Sequence, residues 1–449
     1  MKFYNREKEK QFLENVTKHK NKKMIVMYGR RRVGKTTLLQ KFFPDAEYFF
    51  VDTRSSETLL ADFSKRIFKG TFEKWEDFFN YLLKNRKTVI LDEFQNFTRV
   101  DNSIFSILQK VWDQYDGGTV LILCGSYSGM MKRIFFDAKE PLFGRSDYQI
   151  RVKPFDFISA SKMLFDFGYS IEETIEWYSI LGGVPKYLWY LKDKKNFAEK
   201  TKELFFSDFA PFEEEGKNLL IGEFGSEHTG YFSVLQALGD KNRFLKEITD
   251  RSNMQRTKTM KYINELTNNY DIIEKIDNML SKRKRGAMYK IKDNFLRFWF
   301  RYIYSQKSIL EFNPDAAYDY FLRNQPATTG ILFEDIITSL IPQLFKKGVI
   351  PFLPTKVGKH WGNMPGEKGK TYEIDIAGEN ETSILLIECK WENSPVTIKT
   401  ARKLIEKSQL INDKRKKTLA IVSKSGFEKN IPKSIIKIDL KSLKEIIQP

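Results

Sequence analysis

Cysteine and histidine are scarce in this chain of 449 residues, which holds two of the former and three of the latter. Both cysteines, Cys124 and Cys389, lie inside apolar runs typical of buried strands, so we expect reduced core thiols rather than a disulfide. The histidines are far apart and lack the spacing of zinc ligands; they are His19, His228 and His360. The sequence therefore excludes a disulfide-stabilised fold and argues against a structural zinc site.

Long apolar segments are also missing. No run approaches the ~18 apolar residues of a membrane-spanning helix, and the first residues, Met1–Arg6, lack the apolar core of a signal peptide. We therefore expect a cytoplasmic protein with no membrane contact. The chain is too long for one hydrophobic core, and its length predicts two to four domains.

Positive charge is in excess and is unevenly distributed. The formal net charge is +18, of which residues 231–305 carry +8 and residues 331–449 carry +7, whereas the other 255 residues share only +3. Such a basic half favours a polyanion as its partner. We therefore expect DNA to bind to the second half of the chain, and the sequence leaves a homo-oligomer open.

A glycine-rich loop follows the apolar run Met24–Tyr28 and precedes a helical pattern that ends before Pro44. The loop, GRRRVGKT, fits the pattern G-x-x-x-x-G-K-[ST], in which backbone N–H groups cradle phosphates at the start of a helix. Lys35 is expected to reach the β- and γ-phosphates of ATP, and the Thr36 hydroxyl to ligate Mg²⁺. The predicted nucleotide-binding residues are Gly29, Arg30, Arg31, Arg32, Val33, Gly34, Lys35, Thr36 and Thr37. The three arginines would contact phosphate, an acidic neighbour or a partner, and the sequence does not decide between these.

A second apolar run ends in two carboxylates, Asp92 and Glu93. Because ligands of parallel sheets bind at the carboxyl ends of strands, Asp92 is expected to hold Mg²⁺ and Glu93 to activate the attacking water. Further strands, at 47–51 and 119–124, alternate with helical patterns, which predicts a parallel sheet covered on both faces. These patterns favour an α/β fold of the P-loop NTPase class for residues 1–155.

Residues 231–305 have the pattern of three helices followed by a hairpin, which predicts a winged helix-turn-helix. The longest helix is expected at about 254–267 and carries Arg256, Lys258 and Lys261 near its start. The hairpin loop holds a basic run of Lys282, Arg283, Lys284 and Arg285. Basic residues on a recognition helix and a wing tip would contact the phosphates and groove edges of DNA, although such a unit can also dock proteins.

The last segment carries a second group of polar residues with catalytic character. Its strands are predicted at 349–356, 372–377, 383–390 and 418–422, with helices at 331–341 and 398–411. Alternation puts Glu388 and Lys390 on one face of a strand with Cys389 in the core, and a hairpin brings Asp375 alongside. Two carboxylates and an ammonium at one strand end could hold Mg²⁺ and orient a water against a phosphodiester. A solvated strand end has the same local pattern.

Several of these motifs together resemble the prokaryotic ATPases related to the AAA and STAND groups. The resemblance covers about residues 1–305 and rests on Gly29–Thr36, LDE at 91–93, LCGS at 123–126, PLFGR at 141–145 and GGVP at 182–185. It implies that Ser126 senses the γ-phosphate and that Arg145 is an arginine finger or sensor, in cis or from a neighbouring subunit. It also implies that the GGVP turn marks a helical lid. Without the family, Ser126 is a hydroxyl at a strand end and Arg145 a loop arginine.

The element order of the last segment resembles the restriction-endonuclease-like superfamily, whose motif reads PD-(D/E)-x-K. The match covers about residues 330–422, with Ile374 in the place of the usual proline. It implies that Asp375 and Glu388 are metal ligands and that Lys390 positions the nucleophile. Glu334, on the leading helix, would be the accessory acid. Members of this superfamily that only bind DNA also exist.

We therefore expect five parts along the chain. They are a P-loop ATPase domain at 1–155, a helical lid at 156–230, a winged helix-turn-helix at 231–305, a linker at 306–329 and a C-terminal nuclease-like α/β domain at 330–449. The expected function is ATP binding and hydrolysis that gate DNA binding or metal-dependent cleavage, with ATP and Mg²⁺ as cofactors. The alternative is a regulatory ATPase switch whose C-terminal domain binds DNA or protein without cutting.

Overall fold

The computed structural model of the chain describes residues 3–16, 21–225, 229–281, 286–367 and 369–448. The predicted wing-tip residues Lys282, Arg283, Lys284 and Arg285 lie outside these ranges, as do His19 and His228. The chain divides into two compact units. The first comprises Met1–Phe155, Val184–Lys186 and Leu219–Gly225, and the second comprises Asp156–Gly183, Tyr187–Asn218 and Ser226–Pro449.

Strands and helices alternate along the first unit. Its elements are α1 (Glu7–Val16), β1 (Lys23–Tyr28), α2 (Lys35–Phe42), β2 (Glu47–Phe50), α3 (Ser56–Ile67), α4 (Trp75–Asn85), β3 (Thr88–Asp92), a 3₁₀ turn (Phe94–Asn96), α5 (Phe97–Val100), α6 (Ser103–Gln114), β4 (Val120–Gly125), α7 (Ser128–Phe136) and β5 (Tyr148–Arg151). The four strands predicted from apolar runs are confirmed to within a residue.

The five strands form one sheet in the order β2-β3-β4-β1-β5, and all of its neighbours pair in parallel. The central strands are buried on both faces because helices cover the sheet on each side. Two apolar clusters result. One includes Leu91, Leu123 and the aromatic side chains of α4, and the other includes Ile25, Leu38 and Cys124. The expected covered parallel sheet is therefore confirmed.

The helical segment that follows contains α8 (Phe157–Asp166), α9 (Ile171–Leu181), α10 (Pro185–Trp189), α11 (Phe197–Phe205) and α12 (Glu215–Phe224). Three helices and a small sheet come next: α13 (Thr229–Leu238), β6 (Arg243–Phe244), α14 (Leu245–Ser252), α15 (Arg256–Asn268), β7 (Ile273–Ile276) and β8 (Met288–Ile291). The strands of this sheet are antiparallel, in the order β6-β8-β7. In the described ranges, no helix combines the length and the apolar character needed to cross a bilayer.

The last part of the second unit surrounds a five-stranded mixed sheet. Its elements are α16 (Asn294–Tyr302), a 3₁₀ turn (Tyr304–Gln306), α17 (Lys307–Phe312), α18 (Pro314–Lys346), β9 (Lys356–Asn363), β10 (Thr371–Glu379), β11 (Ser383–Lys390), α19 (Ile398–Leu410), β12 (Lys416–Ser423), β13 (Ile435–Asp439) and α20 (Leu440–Ile447). The order is β13-β12-β11-β10-β9, with antiparallel pairing from β9 to β11 and parallel pairing from β11 to β13.

Two expectations for this region are corrected. The strand predicted at 349–356 is absent from this described stretch, and β9 begins only at Lys356. Pro351 and Pro354 explain the difference, because proline cannot donate to a ladder. The predicted linker at 306–329 holds α17 and the first half of α18, which starts at Pro314 under a side-chain cap from Asn313.

Candidate functional site

The glycine loop between β1 and α2 takes backbone conformations that its sequence allows. Gly29 has φ +155°, and a Cβ there would lie 2.2 Å from the carbonyl oxygen of Val152, so a side chain is excluded. Gly34 has φ +91° and precedes α2 without any side-chain cap, which leaves the first N–H groups of the helix available to an anion. Arg6 braces the loop by donating to the carbonyl oxygens of Val33 (3.1 Å) and Lys153 (2.7 Å).

Lys35 is buried and its ammonium lies inside the loop. Its Nζ donates to the carbonyl oxygens of Gly29 (2.8 Å) and Arg30 (3.1 Å) and to the Ser126 hydroxyl (3.3 Å). The first helical turn thus brings Lys35 to the end of β4. Phosphate oxygens would replace these neutral acceptors with stronger, charge-assisted ones.

The remaining loop residues differ in exposure. Val33 packs into the apolar cluster that includes Ile25 and Leu38. Arg31 and Thr37 are exposed, and Arg30 and Arg32 are half-buried.

The predicted magnesium ligands meet directly. Thr36 Oγ1 donates to Asp92 Oδ2 at 2.7 Å, and the hydroxyl of Tyr48 donates to the same oxygen at 2.8 Å. Burial, and after it the neighbouring Asp92, raise the pKa of Tyr48, so that its hydroxyl stays a donor. A hydroxyl and a carboxylate are the hard oxygen ligands that Mg²⁺ takes beside phosphates, so these residues fit the ion. Tyr48 was not found from the sequence because nothing local distinguishes it from a core tyrosine.

Glu93 is held in place by three hydrogen bonds. Its carboxylate accepts from the Ser126 hydroxyl, from the Ser126 N–H at 3.2 Å and from Gln95 Nε2 at 2.6 Å. The Glu93 backbone is left-handed, with φ 55°, which is costly for a residue with a side chain and typical of functional turns. Ser126, Lys35 and Glu93 therefore form one hydrogen-bonded chain at the carboxyl edge of the sheet.

A half-buried acid from α12 joins this edge. The carboxylate of Glu223 accepts the backbone N–H groups of Ser128 (2.9 Å) and Gly129 (3.2 Å), at the start of α7. Burial raises the pKa of Glu223 to about 7, although these amides and the charge of Lys35 lower it. Sequence reasoning missed Glu223, because an isolated glutamate in a helix carries no motif.

Glu223→Gln should change how stability depends on pH. Because the folded pKa of Glu223 is raised from 4.5 to about 7, its stabilising contribution is complete below pH 4.5 and is lost as pH rises through 7. The variant should therefore gain up to about 3 kcal/mol relative to wild type between about pH 4.5 and 8. Urea unfolding of both proteins across this range measures the difference, with exposed Glu57→Gln as the control. A difference that does not vary with pH would contradict the assignment.

Arg145 lies away from these residues. It forms a bidentate ion pair with Asp113, with Nε–Oδ1 at 3.1 Å and Nη2–Oδ2 at 3.0 Å. Asp113 is in the last turn of α6, which leads to the amino end of β4, and Arg145 itself shortly precedes the amino end of β5. In a parallel sheet the edge formed by the amino ends of the strands lies opposite the edge that carries the phosphate loop. The contact expected within one chain is therefore not formed, and a role on a neighbouring subunit stays a prediction.

The polar residues of the last segment converge at one end of β10 and β11. Asp375 Oδ2 accepts the backbone N–H of Cys389 at 2.8 Å. The carboxylate of Glu388 binds two ammonium groups, Lys390 Nζ at Oε1 and Lys407 Nζ at Oε2, both at 2.9 Å. The side chains of Glu388 and Lys390 thus share a face while Cys389 packs into the core, as alternation predicts. Lys407, on α19, was not found from the sequence.

Glu334, on α18, is bound by a lysine that sequence reasoning also missed. Lys359 Nζ contacts Glu334 Oε2 and lies 3.0 Å from Glu373 Oε1. Burial, followed by the charge of Asp375, raises the pKa of Glu334 to about 8, and burial with the charge of Glu388 raises the pKa of Asp375 to about 6. Burial acts to raise the pKa of Glu388, but Lys390 and Lys407 lower it below its usual value. The described residues contain no group of three or more His, Cys, Asp or Glu arranged to hold one metal ion.

The basic residues predicted on the recognition helix lie at the start of α15. Arg256, Lys258 and Lys261 are all exposed, while Thr259, Ile263 and Leu266 of the same helix are buried. One side of α15 is therefore positively charged and solvated.

Two family models match the chain. Residues 21–159 match the family described as an AAA domain, and residues 299–404 match one described as archaea bacterial proteins of unknown function. The AAA match coincides with the parallel sheet, the phosphate loop and the Asp92–Glu93 strand end.

Relatives occur in Methanocaldococcus jannaschii. An uncharacterized protein is 28% identical over 446 residues, covering 94% of this chain and 95% of that one. An uncharacterized ATP-binding protein is 50% identical over 40 residues, covering 9% of this chain and 68% of that one. Among solved structures, the Walker-type ATPase of Pyrococcus abyssi is 20% identical with a TM-score of 0.49, covering 67% of this chain and 96% of that one. By the AAA match and the phosphate-loop geometry, residues 21–159 form an AAA-type P-loop domain.

Proposed function

We propose that ATP binding and hydrolysis by the AAA domain gate the engagement of DNA by the second half of the chain, where a C-terminal nuclease-like centre cleaves it in the presence of Mg²⁺. The observation that carries this proposal is the convergence of Asp375, Glu388 and Lys390 at one sheet end, with Glu334 in electrostatic contact. These four polar residues come from three elements, and perturbed carboxyl groups gathered in this way are typical of functional sites.

In the AAA domain, each residue of the hydrogen-bonded chain has a separate role. Lys35 would exchange its loop carbonyls for the β- and γ-phosphates. Thr36 and Asp92 would hold Mg²⁺, which when bound would supply positive charge beside the phosphates. Glu93 orients and deprotonates the attacking water. Ser126 links Glu93 to Lys35, so its hydroxyl is suited to sense whether a γ-phosphate is present.

We expect Arg145 to act on the nucleotide of a neighbouring subunit, since its own chain places it at the opposite sheet edge. Arg145→Ala chains retain the phosphate loop, and Lys35→Ala chains retain the arginine. In a mixed oligomer, the arginine of a Lys35→Ala chain would therefore act on ATP bound to an Arg145→Ala chain. An equimolar mixture should therefore hydrolyse ATP faster than either variant alone, which a coupled phosphate-release assay measures. A mixture no faster than the sum of its parts would make Arg145 a structural partner of Asp113.

In the C-terminal centre, Asp375 and Glu388 would hold the metal ion and Lys390 would position the water that attacks a phosphodiester. The donor set supports this role because both acids are carboxylates, one buried and one half-buried, and are close enough for Glu388 to raise the pKa of Asp375. When bound, Mg²⁺ would polarise the scissile phosphate and lower the pKa of the water. Lys390 contacts Glu388 at 2.9 Å and would therefore lie near an ion held by that carboxylate.

Cleavage of supercoiled plasmid and of single-stranded DNA tests the function. Wild-type protein is incubated with Mg²⁺ or Mn²⁺, with ATP present or absent, and we expect metal-dependent cuts whose rate changes with ATP. If no DNA or RNA form is cut under any of these conditions, residues 330–449 form a binding module. The function is then the alternative one, an ATPase switch without cleavage.

One observation favours that alternative. Across the described residues, every acid of the centre except Asp375 contacts an ammonium group: Glu388 binds Lys390 and Lys407, and Lys359 binds Glu334 and Glu373. A centre neutralised by its own lysines is also suited to hold a fold together without a metal ion.

DNA binding should depend strongly on salt. Removing the exposed cations of α15 with Arg256→Ala, Lys258→Ala and Lys261→Ala should flatten the slope of log affinity against log salt by about 2 to 3 units, since each phosphate contact contributes about −0.9. Fluorescence anisotropy with a labelled duplex measures the slope over a range of salt from about 50 to 300 mM.

The matched control removes three exposed lysines of the AAA domain, Lys65, Lys69 and Lys84. It should leave the slope within about half a unit of wild type. Equal slopes for the α15 variant and wild type would show that this helix faces away from DNA and would favour protein docking. Replacing Lys282–Arg285 by Ala in the same assay tests the predicted wing tip.

A further inference from the structure

The positive charge of the last segment is concentrated in one stretch. Residues 396–434 hold eleven lysine and arginine residues against three acids, a net charge of +8, whereas residues 331–449 as a whole carry +7. The rest of that segment therefore carries −1. The stretch comprises α19, β12 and the loops beside them, so the excess charge has a defined place in the fold.

Five of these cations are exposed at one end of the C-terminal sheet. Strands β11 and β12 are parallel, so the start of α19, which follows β11, and the loop that follows β12 lie at the same end. The two segments also pair, since the Val396 N–H donates to the carbonyl oxygen of Gly426 at 2.9 Å and the Glu428 N–H donates to that of Val396 at 3.0 Å. We call the exposed cations at this end the basic patch; they are Lys399, Arg402, Lys403, Lys429 and Lys433.

The basic patch is free of ion pairs. Within the described ranges, none of its five side chains forms an ion pair or a hydrogen bond, whereas Lys407, Arg415 and Lys424 of the same stretch all bind acids. The exposed acids of the stretch are only two, Glu406 and Glu428. Cations that pair with no acid of their own chain contribute little to its stability and are available to a polyanion.

The basic patch lacks the aromatic side chains on which single strands stack. Phe427 is the one aromatic residue of 396–434, and it is half-buried against the apolar cluster that includes Ala401 and Leu404. Proteins that bind single-stranded nucleic acids without sequence preference use exposed aromatic rings as stacking platforms. Binding to a duplex without sequence preference depends instead on cations that contact phosphates. The chemistry of the patch therefore fits the backbone of a duplex.

The C-terminal centre adjoins the basic patch. Lys407, one helical turn beyond Lys403 on α19, binds Glu388 at 2.9 Å, and Lys390 ends β11 at the same end of the sheet. Because Lys390 and Lys407 together neutralise Glu388, a phosphate that approaches from the patch does not meet an unpaired charge on that carboxylate.

We infer that the basic patch is a docking surface for the sugar–phosphate backbone of duplex DNA, which it binds without reading the sequence. This inference rests on the DNA engagement of the proposed function and adds a contact surface to the one expected on α15. It requires neither cleavage nor a metal ion at the C-terminal centre.

The salt dependence of binding to a labelled duplex tests the inference, with the full-length chain and fluorescence anisotropy. The patch variant combines Lys399→Ala, Arg402→Ala and Lys403→Ala. It should flatten the slope of log affinity against log salt by about 2 to 3 units, since each phosphate contact contributes about −0.9. The flattening should be the same for two duplexes of unrelated sequence, and the loss of affinity at fixed salt should be larger for a duplex than for its single strand.

The matched control removes three exposed lysines of the same segment that lie outside the patch, Lys346, Lys414 and Lys416. Its slope should stay within about half a unit of wild type. Should the patch variant not fold, Lys429→Ala combined with Lys433→Ala replaces it and should flatten the slope by about 1 to 2 units.

A patch variant with the wild-type slope overturns the inference and leaves DNA engagement through α15 intact. Equal flattening by the control would make the effect one of net charge, and a larger loss for the single strand would contradict a duplex surface; either result also overturns the inference. If wild-type protein binds no duplex even at low salt, the DNA engagement of the proposed function fails, and the inference fails with it.

Discussion

Glu93→Gln is expected to slow ATP hydrolysis by about 10²–10⁴-fold, the range that a positioned general base contributes. Glutamine keeps the shape of the side chain and can still accept from Ser126 and Gln95, but it cannot take a proton from water. ATP should bind as in wild type, because the phosphate contacts come from Lys35 and the loop amides. Phosphate release and binding of a fluorescent ATP analogue measure the two properties separately.

The matched control for this variant is Glu73→Gln, an exposed glutamate of the same domain. It should hydrolyse ATP at the wild-type rate. Lys35→Ala gives the contrasting result, since loss of the ammonium should abolish tight ATP binding. Wild-type hydrolysis by Glu93→Gln would mean that another group activates the water.

Asp375→Asn and Lys390→Ala are each expected to reduce metal-dependent DNA cleavage by more than about 100-fold, because even the outer-sphere partners of a metal are worth about 10–100-fold. The amide introduced by Asp375→Asn cannot supply the charge that an ion needs, whereas it preserves an acceptor for the Cys389 N–H. ATP hydrolysis should be unchanged in both variants. Plasmid nicking and phosphate release on the same preparations measure the two activities.

Asp319→Asn is the control for Asp375→Asn, since Asp319 is an exposed acid on α18. It should cut DNA as fast as wild type. Cleavage by Asp375→Asn at a rate close to that of wild type would assign the activity to other residues.

The strands of the AAA sheet could be predicted because strands buried on both faces have continuous apolar sequences. Strands β1, β3 and β4 are covered on both faces and therefore read as continuous apolar runs that end in polar residues. Strand β5 was missed, since Tyr148–Arg151 alternates between half-buried and exposed residues and contains a charge. Strand β9 was misplaced, because its sequence, KVGKHWGN, is polar and half-exposed.

The candidate sites were predicted where one segment supplies the residues and missed where distant segments do. Lys35 and Thr36 lie in one loop, whose pattern indicates them. Glu388 and Lys390 alternate on one strand, and the order of the surrounding elements, together with that alternation, indicated them. Glu223 and Lys359 come from other elements and contact the sites only through tertiary packing. A lone acid or lysine in a chain with 30% charged residues carries no local signal.

The edge of the C-terminal sheet has a consequence for dissecting this protein into fragments. The segment after β7 covers β9, since the Met279 N–H donates to the carbonyl oxygen of Lys359 and Asn278 Nδ2 donates to that of Trp361 at 2.7 Å. A fragment that begins at residue 330 would lose this cover and would also cut α18 near its middle. Bared strand edges recruit other chains, so this fragment should precipitate on expression, whereas one that begins ahead of α13 keeps the edge closed.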